Sequence, residues 1–302
     1  MSKKIEEKYS NERPVFNKIL NEVSQGHETR RELFIKLEEM LKRPIVSFFT
    51  SFNYPVMIDD NDANMLEGVL QKIDLSKGLV LFISSPGGNG LTSERIINIC
   101  RSYSGTKEFW ALVPGEAKSA ATLICFGASK IIMGATSELG PVDPQIYIQG
   151  KPFSAYGVVK SYEDLFQRAV AEKQNIQPYI QQLERYDEKE IAQYRDYINL
   201  SEDISVNALK TGMMKKVSED DIKEKIKTFV IPDKKMVHAR PIYAKEVGNC
   251  GLNVETEDVN SELWQVVYEL YLRTNSFVNN QASKCIESRE HSFFQGPSVK
   301  QQ

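Results

Sequence analysis

Between residues 44 and 134 the chain alternates short, nearly continuous apolar runs with longer stretches whose apolar positions recur every three to four residues. The runs at 44–49, 79–84, 108–113 and 130–133 are rich in β-branched and aromatic residues, as buried strands are. The intervening stretches, 60–73, 92–103 and 119–127, carry the helical period, and so does 28–43, where Leu33, Phe34, Leu37, Met40 and Leu41 share one face. Strands alternating with helices over about 90 residues predict an α/β fold with parallel crossover units and helices packed on the sheet.

Beyond residue 134 the pattern changes. Residues 137–145 hold too much Pro and Gly for a regular element and predict a shaped loop. Helical periodicity returns at 157–173, 177–199, 202–211, 219–227 and 262–277, so the C-terminal third is mostly helical. The resulting organisation is a polar arm over 1–28, one domain over 29–280, and a flexible tail over 281–302, where apolar content is low.

Composition narrows the function classes. A net charge of −3 with mixed signs along the 302 residues argues against nucleic acid or an anionic membrane as the main partner. The longest apolar stretch, 120–135, is shorter than the roughly 20 residues a spanning helix needs, and Gly127 and Lys130 interrupt it, so no integral membrane segment is expected. Cys100, Cys125, Cys250 and Cys285 lie far apart, behind an N-terminus without an apolar leader. Reduced thiols, a cytoplasmic location and no zinc site follow, and no motif asks for a cofactor.

Two blocks carry chemistry. Ser84-Ser85-Pro86-Gly87-Gly88-Asn89 and Gly115-Glu116-Ala117-Lys118-Ser119-Ala120-Ala121-Thr122 each follow a predicted strand, where open α/β sheets place their sites. Acyl transfer needs a nucleophile beside backbone N–H donors that meet the developing oxyanion. Ser119, at the head of a predicted helix among small residues, suits the nucleophile, and Ala120 N–H suits one donor. The Gly87-Gly88 turn, whose N–H groups no side chain shields, suits the second. The bland alternatives are an N-capping serine and an ordinary turn.

The base is less legible. His27 lies in the arm and His291 in the tail, which leaves His238 as the one histidine in a foldable region. A lysine is the alternative, provided burial or a cationic neighbour lets it lose its proton near neutral pH. Lys118 adjoins Ser119 at an awkward angle, Lys130 opens a strand, and Lys160 opens a helix behind a segment bearing Tyr147, Phe153 and Tyr156. Against Lys160 stand Glu163 and Asp164, which on pairing with it would hold its proton on.

Taken with Glu138-Leu139-Gly140-Pro141-Val142-Asp143-Pro144-Gln145, and more weakly with His238-Ala239-Arg240-Pro241-Ile242 and Gly251-Leu252, these blocks resemble the serine dehydrogenase proteinase family over roughly residues 40–255. That family sits with the Clp-protease and signal-peptide-peptidase-A branch of the crotonase-like superfamily. The resemblance implies a Clp-protease/crotonase-like spiral of ββα units, an oxyanion hole near Gly87, Gly88 and Ala120, and Ser119 as nucleophile. The Clp histidine has no counterpart, since the matching region holds Val142-Asp143. Related archaeal membrane-associated proteases use a lysine, and their spacing lands on Lys160. Relatives assemble into dimers or rings, so a homo-oligomer is expected.

Three functions follow. The first is a Ser-Lys peptidase acting on peptides or unfolded proteins through Ser119 and Lys160. The second is a crotonase-type acyl-CoA enzyme using Glu138 and Asp143, although no basic cluster suits the CoA phosphates. The third is an inert member that binds peptides or proteins without turnover.

Overall fold

The computed structural model describes residues 26–231 and 240–296, together with Val15 and Ile19. His238 and nearly all of the predicted arm lie outside the described residues.

Four parallel strands form the centre of the molecule: β1 (Ile45–Thr50), β2 (Leu79–Ser84), β3 (Phe109–Val113) and β5 (Lys130–Gly134). β4 (Glu116–Ala117) lies between the last two in sequence and belongs to a second sheet. The central strands are buried on both faces, which is why they read as unbroken apolar runs rather than as alternation. Side chains of opposite parity supply two separate cores. Ile45, Phe49, Val80, Phe82, Leu112 and Ile132 point one way, onto Leu33, Phe34 and Leu37 of α1 (Glu28–Leu41). Val46, Phe48, Leu81, Ile83, Ala111 and Ile131 point the other way. There they meet α2 (Asp60–Leu70), α3 (Gly90–Tyr103) and α4 (Ala120–Phe126).

The second sheet runs β4, β6 (Glu138–Leu139), β9 (Ile242–Tyr243), and its short strands give the ββα character: β3, β4 and α4 form one unit, and β5 and β6 begin the next. The 137–145 segment is therefore a loop with a two-residue strand inside it. A hairpin follows, β7 (Gln145–Ile148) and β8 (Lys151–Ser154), turning through Gln149 and Gly150, both at positive φ. Its Tyr147 is 69% exposed.

The helical region contains α5 (Ala155–Ala171), α6 (Gln177–Leu183), α7 (Glu188–Thr211) and α8 (Glu219–Val230). The two helices read at 177–199 and 202–211 are divided elsewhere. The break falls at residues 184–187, where the Asp187 carboxylate caps the N–H groups of Lys189 and Glu190. At Ser201 the helix continues, because the hydroxyl donates to Val142 O at 2.7 Å instead of competing for its own backbone. After α9 (Ala244–Asn249), the edge strand β10 (Val254–Glu257) pairs in parallel with β5. Then α10 (Glu262–Asn280) packs on α1 over the first core.

The chain end corrects the sequence reading. Within the predicted tail, β11 (Lys284–Glu287) is fully buried and pairs antiparallel with β1, and β12 (Ser292–Gln295) pairs with β11. Low apolar content concealed this because β11 buries charges with dedicated partners. Glu287 receives two hydrogen bonds from Arg30, at 2.7 and 2.6 Å, and Lys284 donates to Asp59 and Asp62 at 2.7 and 2.8 Å. No helix among the described residues is long and apolar enough to cross a membrane.

Candidate active site

The two motif blocks emerge from neighbouring strands, β2 and β3, and their backbones are joined directly. Ser85 N–H donates to Glu116 O at 3.2 Å and Lys118 N–H donates to Ser85 O at 2.9 Å, which makes a parallel bridge between Ser85 and Ala117. The convergence inferred from topology is thus a pair of hydrogen bonds. Just past it the chains touch: a Cβ on Gly87 would stand 2.6 Å from Lys118 O, 2.8 Å from Ser119 Cβ and 3.0 Å from Ala120 N. Only a residue without a side chain allows this approach, and the φ of +104° at Gly87 adds a second reason for glycine.

Ser119 occupies the cap position of α4 but does not cap it; its side chain bonds to no backbone N–H of the helix. Its backbone, at φ 49° and ψ −117°, lies outside the regions that L-residues ordinarily occupy. Strain of this kind costs on the order of 1–3 kcal/mol and persists only where the surroundings over-determine it. A serine raised on a sharp strand-to-helix turn presents its hydroxyl outward. Among the described residues Ser119 Oγ has no hydrogen-bond partner.

The backbone donors around it are unequal. Gly87 N–H donates to Ser85 Oγ at 3.0 Å. Gly88 bridges to Ile58, but that bridge uses Gly87 O and Asn89 N, leaving the N–H and C=O of Gly88 itself facing the other way. Among the described residues neither Gly88 N–H nor Ala120 N–H has a partner. On the Ile58 side there is no room for a side chain, since a Cβ on Gly88 would come within 2.2 Å of Ile58 N.

Residues that the motif reading passed over fix this arrangement. Ser85 Oγ sits 2.5 Å from Thr50 Oγ1 while accepting from Gly87. Thr122 Oγ1 stands 2.8 Å from Ala117 O and 3.0 Å from Gly140 O, and it receives Gly140 N–H at 3.2 Å, tying α4 to the Gly-Pro loop. Ser93 of α3 donates to Ala120 O at 2.9 Å. Each of these residues lies in or beside a quoted motif except Ser93 and Thr50, for which the sequence carries no signal.

The three candidate lysines are all engaged elsewhere. Lys160, on α5 with a side chain 42% exposed, donates to Asp164 at 3.3 Å, the pairing that its neighbours forecast. Lys130 pairs with Glu255 and rests over the Trp110 ring at 3.7 Å. Lys118 donates to Glu138 and lies 4.0 Å from Glu116 Oε2. His238 lies outside the described residues. Glu138, one of the two carboxylates an acyl-CoA reaction would need, is committed to Lys118. The other, Asp143, is fully buried and accepts from Gln145 at 2.9 Å. Neither stands open as an acid or base.

Comparison with known proteins adds what geometry alone does not. The chain is 30% identical over 222 residues to the uncharacterized protein MJ0137 of Methanocaldococcus jannaschii, covering 73% of this chain and 68% of that one. It is 31% identical over 133 residues to the uncharacterized protein MJ1495 of the same organism, spanning 41% of that relative's length. Among solved structures it is similar to the 1510-N membrane-bound stomatin-specific protease. A lysine-to-alanine variant of that protease with a substrate peptide matches at 14% identity, covering 72% of this chain and 94% of that one, with a TM-score of 0.31. A serine-to-alanine variant matches at 15% identity, covering 68% and 94%, with a TM-score of 0.29. A profile of the ClpP-like SDH-type serine proteinases matches residues 17–286. The chain belongs to the ClpP-like SDH-type serine proteinase family, and serine peptidase is the activity that this membership supports.

Proposed function

We propose that the protein hydrolyses peptide bonds through an acyl-enzyme on Ser119. An extended peptide pairs with the N–H and C=O of Gly88, the strand edge left unused by Ile58, as added strands do. Ser119 Oγ attacks the carbonyl carbon, and Ala120 N–H and the Gly87-Gly88 turn meet the charge on its oxygen. Within the turn Gly88 N–H is the donor without a prior partner. Lys160 takes the serine proton and delivers it to the leaving amine; water then releases the acyl group by the reverse sequence. The observation that carries the reading is the backbone of Ser119, held at φ 49°, in a pair of joined blocks where, among the described residues, the Ser119 hydroxyl and the N–H groups of Gly88 and Ala120 have no partner.

To serve as base, Lys160 must leave Asp164 and lose its exposure, a change that substrate or a second subunit would have to bring about. Self-association is part of this reading, and the hairpin bearing exposed Tyr147 and Phe153 is the surface we assign to it. Sedimentation of a strict monomer at assay concentration would remove that element. A reducing, cytoplasmic setting fits the four cysteines, all of them buried free thiols, with burial pushing Cys100 up to about 12.

The test uses an unfolded protein substrate and a fluorophosphonate probe on wild type, Ser119→Ala and Lys160→Ala. Wild type is expected to cleave and to be labelled at Ser119, and Ser119→Ala to do neither; equal cleavage by both rejects the mechanism. Lys160→Ala should acylate about 10²–10⁴-fold more slowly. Unchanged acylation would displace Lys160 and leave Ser119 in place. A catalytically inert, peptide-binding protein is the second reading, favoured by the pairing of Lys118, Lys130 and Lys160 with carboxylates. An unlabelled wild type that still binds peptide would select it.

A further inference from the structure

Lys118 lies directly before Ser119, and its surroundings explain why a lysine stands there. β4 and β6 pair in parallel with Glu116 opposite Glu138. Two carboxylates opposite one another on adjacent strands repel and would part the strands if nothing intervened. Lys118 is two residues beyond Glu116, so its side chain leaves the same face of the strand. Its ammonium donates to Glu138 and stands 4.0 Å from Glu116, one cation between two anions. Two of the three are sheltered, the Lys118 side chain 15% and that of Glu138 20% exposed, while Glu116 is 37% exposed. A Cβ on Gly140 would lie 2.6 Å from Lys118 Cδ, so the Gly-Pro loop packs on the lysine stem.

The backbone of the same residue ties the site together. Lys118 N–H reaches Ser85 O in the Pro-Gly-Gly block, and Lys118 O accepts Ala121 N–H in α4, both at 2.9 Å. The unusual φ of Ser119 is a rotation about the bond just after the Lys118–Ser119 peptide group.

We propose that Lys118 is a positioning residue for Ser119: by holding Glu116 and Glu138 in register it fixes the peptide group on which the serine's raised conformation is built. The proposal rests on the reading of Ser119 as nucleophile. Burial pushes the Glu116 carboxyl above its usual range, Lys118 opposes that shift and Glu138 adds to it. The other titratable groups nearby are Tyr271 of α10, pushed up by its own burial and by Glu116, and Tyr243, opposite Glu138 on β9. Without the lysine, acid becomes the remaining way to quiet the pair. Glu116 takes up a proton and donates it to Glu138 in a hydrogen bond.

The experiment compares wild type with Lys118→Met, Lys118→Arg and the double variant Lys118→Met/Glu138→Gln. The rate of fluorophosphonate labelling at Ser119 is followed from about pH 5 to about pH 8, across the range where a raised carboxyl titrates. Amide exchange of residues 118 and 121 is followed in parallel. A displaced nucleophile is expected to slow labelling of Lys118→Met about 10²-fold at the alkaline end, with the deficit shrinking toward the acid end. Lys118→Arg, which keeps the charge and cannot act as a base, and the double variant, which removes the repulsion, should both recover most of the rate. Exchange should be fast in Lys118→Met and slow again in the double variant.

Labelling of Lys118→Met equal to wild type at every pH overturns the proposal. So does loss of labelling in the Arg and double variants alike, which would make Lys118 the base itself. If wild type is not labelled, the nucleophile reading fails separately, and exchange still decides: unchanged protection in Lys118→Met refutes positioning, and restored protection in the double variant sustains it.

Discussion

Ser119 combines two properties that conflict, a backbone that costs energy and a hydroxyl that gains nothing from the helix it heads. If that strain is held for chemistry, removing the need for a Cβ should release it. Ser119→Gly is expected to stabilise the protein by about 1 kcal/mol, seen as a higher Tm, while abolishing probe labelling. A fall in Tm would show that the serine side chain contributes more than its backbone costs. Gly87 is the complementary case. Gly87→Ala places a methyl group 2.6 Å from Lys118 O at a φ of +104°, so the two blocks must part, and labelling should fall at least about 10²-fold. Both motifs were legible as strings of residues. The strain at Ser119 was not, because nothing in a Lys-Ser-Ala-Ala sequence specifies a positive φ.

Among the elements that sequence periodicity did not find is the C-terminal strand pair, and there charge is the reason. Arg30 of α1 and Glu287 of β11 form a bidentate pair with side chains 1% and 0% exposed. Ser292 Oγ adds a hydrogen bond to the same carboxylate at 2.7 Å. Removing Arg30 alone leaves a buried anion, so Arg30→Leu should cost about 3–5 kcal/mol by urea denaturation, and Arg30→Leu/Glu287→Leu should regain most of it. Burial pushes the Glu287 carboxyl up, but the hydrogen bonds and charge of Arg30 outweigh it, and the net position is below the usual glutamate range. The stabilisation is accordingly present above the unfolded-state value, near 4.3 for glutamate, and is lost as pH falls through the lower folded one. Wild type should therefore lose stability relative to the double Leu variant on acidification. A constant gap from neutral to strongly acid pH would refute the assignment. By contrast, the helices and strands of residues 28–134 other than the two-residue β4 were read nearly to their ends, since there the core selects apolar residues with the local period of each element.

At the scale of the whole molecule, the last described strands join the sheet that carries the site. β11 lies beside β1, and Lys284 on β11 reaches Asp59 and Asp62 at the head of α2, next to Ile58 and hence the Gly88 edge. Ending the chain after Asn280 should unpair one edge of β1 and leave Asp62 buried without its cation. The expected product binds a hydrophobic dye and lacks a cooperative thermal transition; a soluble, cooperatively folding product would contradict the central place given to β11. By itself the sequence determined the order of the main helices and the four central strands, the two motif blocks and the family likeness, because those depend on neighbours along the chain and on spacings of two and 3.6 residues. Only the tertiary structure decided that β1 pairs with a strand some 240 residues away, that Ser119 is raised rather than capping, and that Lys118 faces two carboxylates while Lys160 faces Asp164. Those outcomes depend on which surfaces pack together and which charges lose their water in doing so, and local sequence carries no record of either.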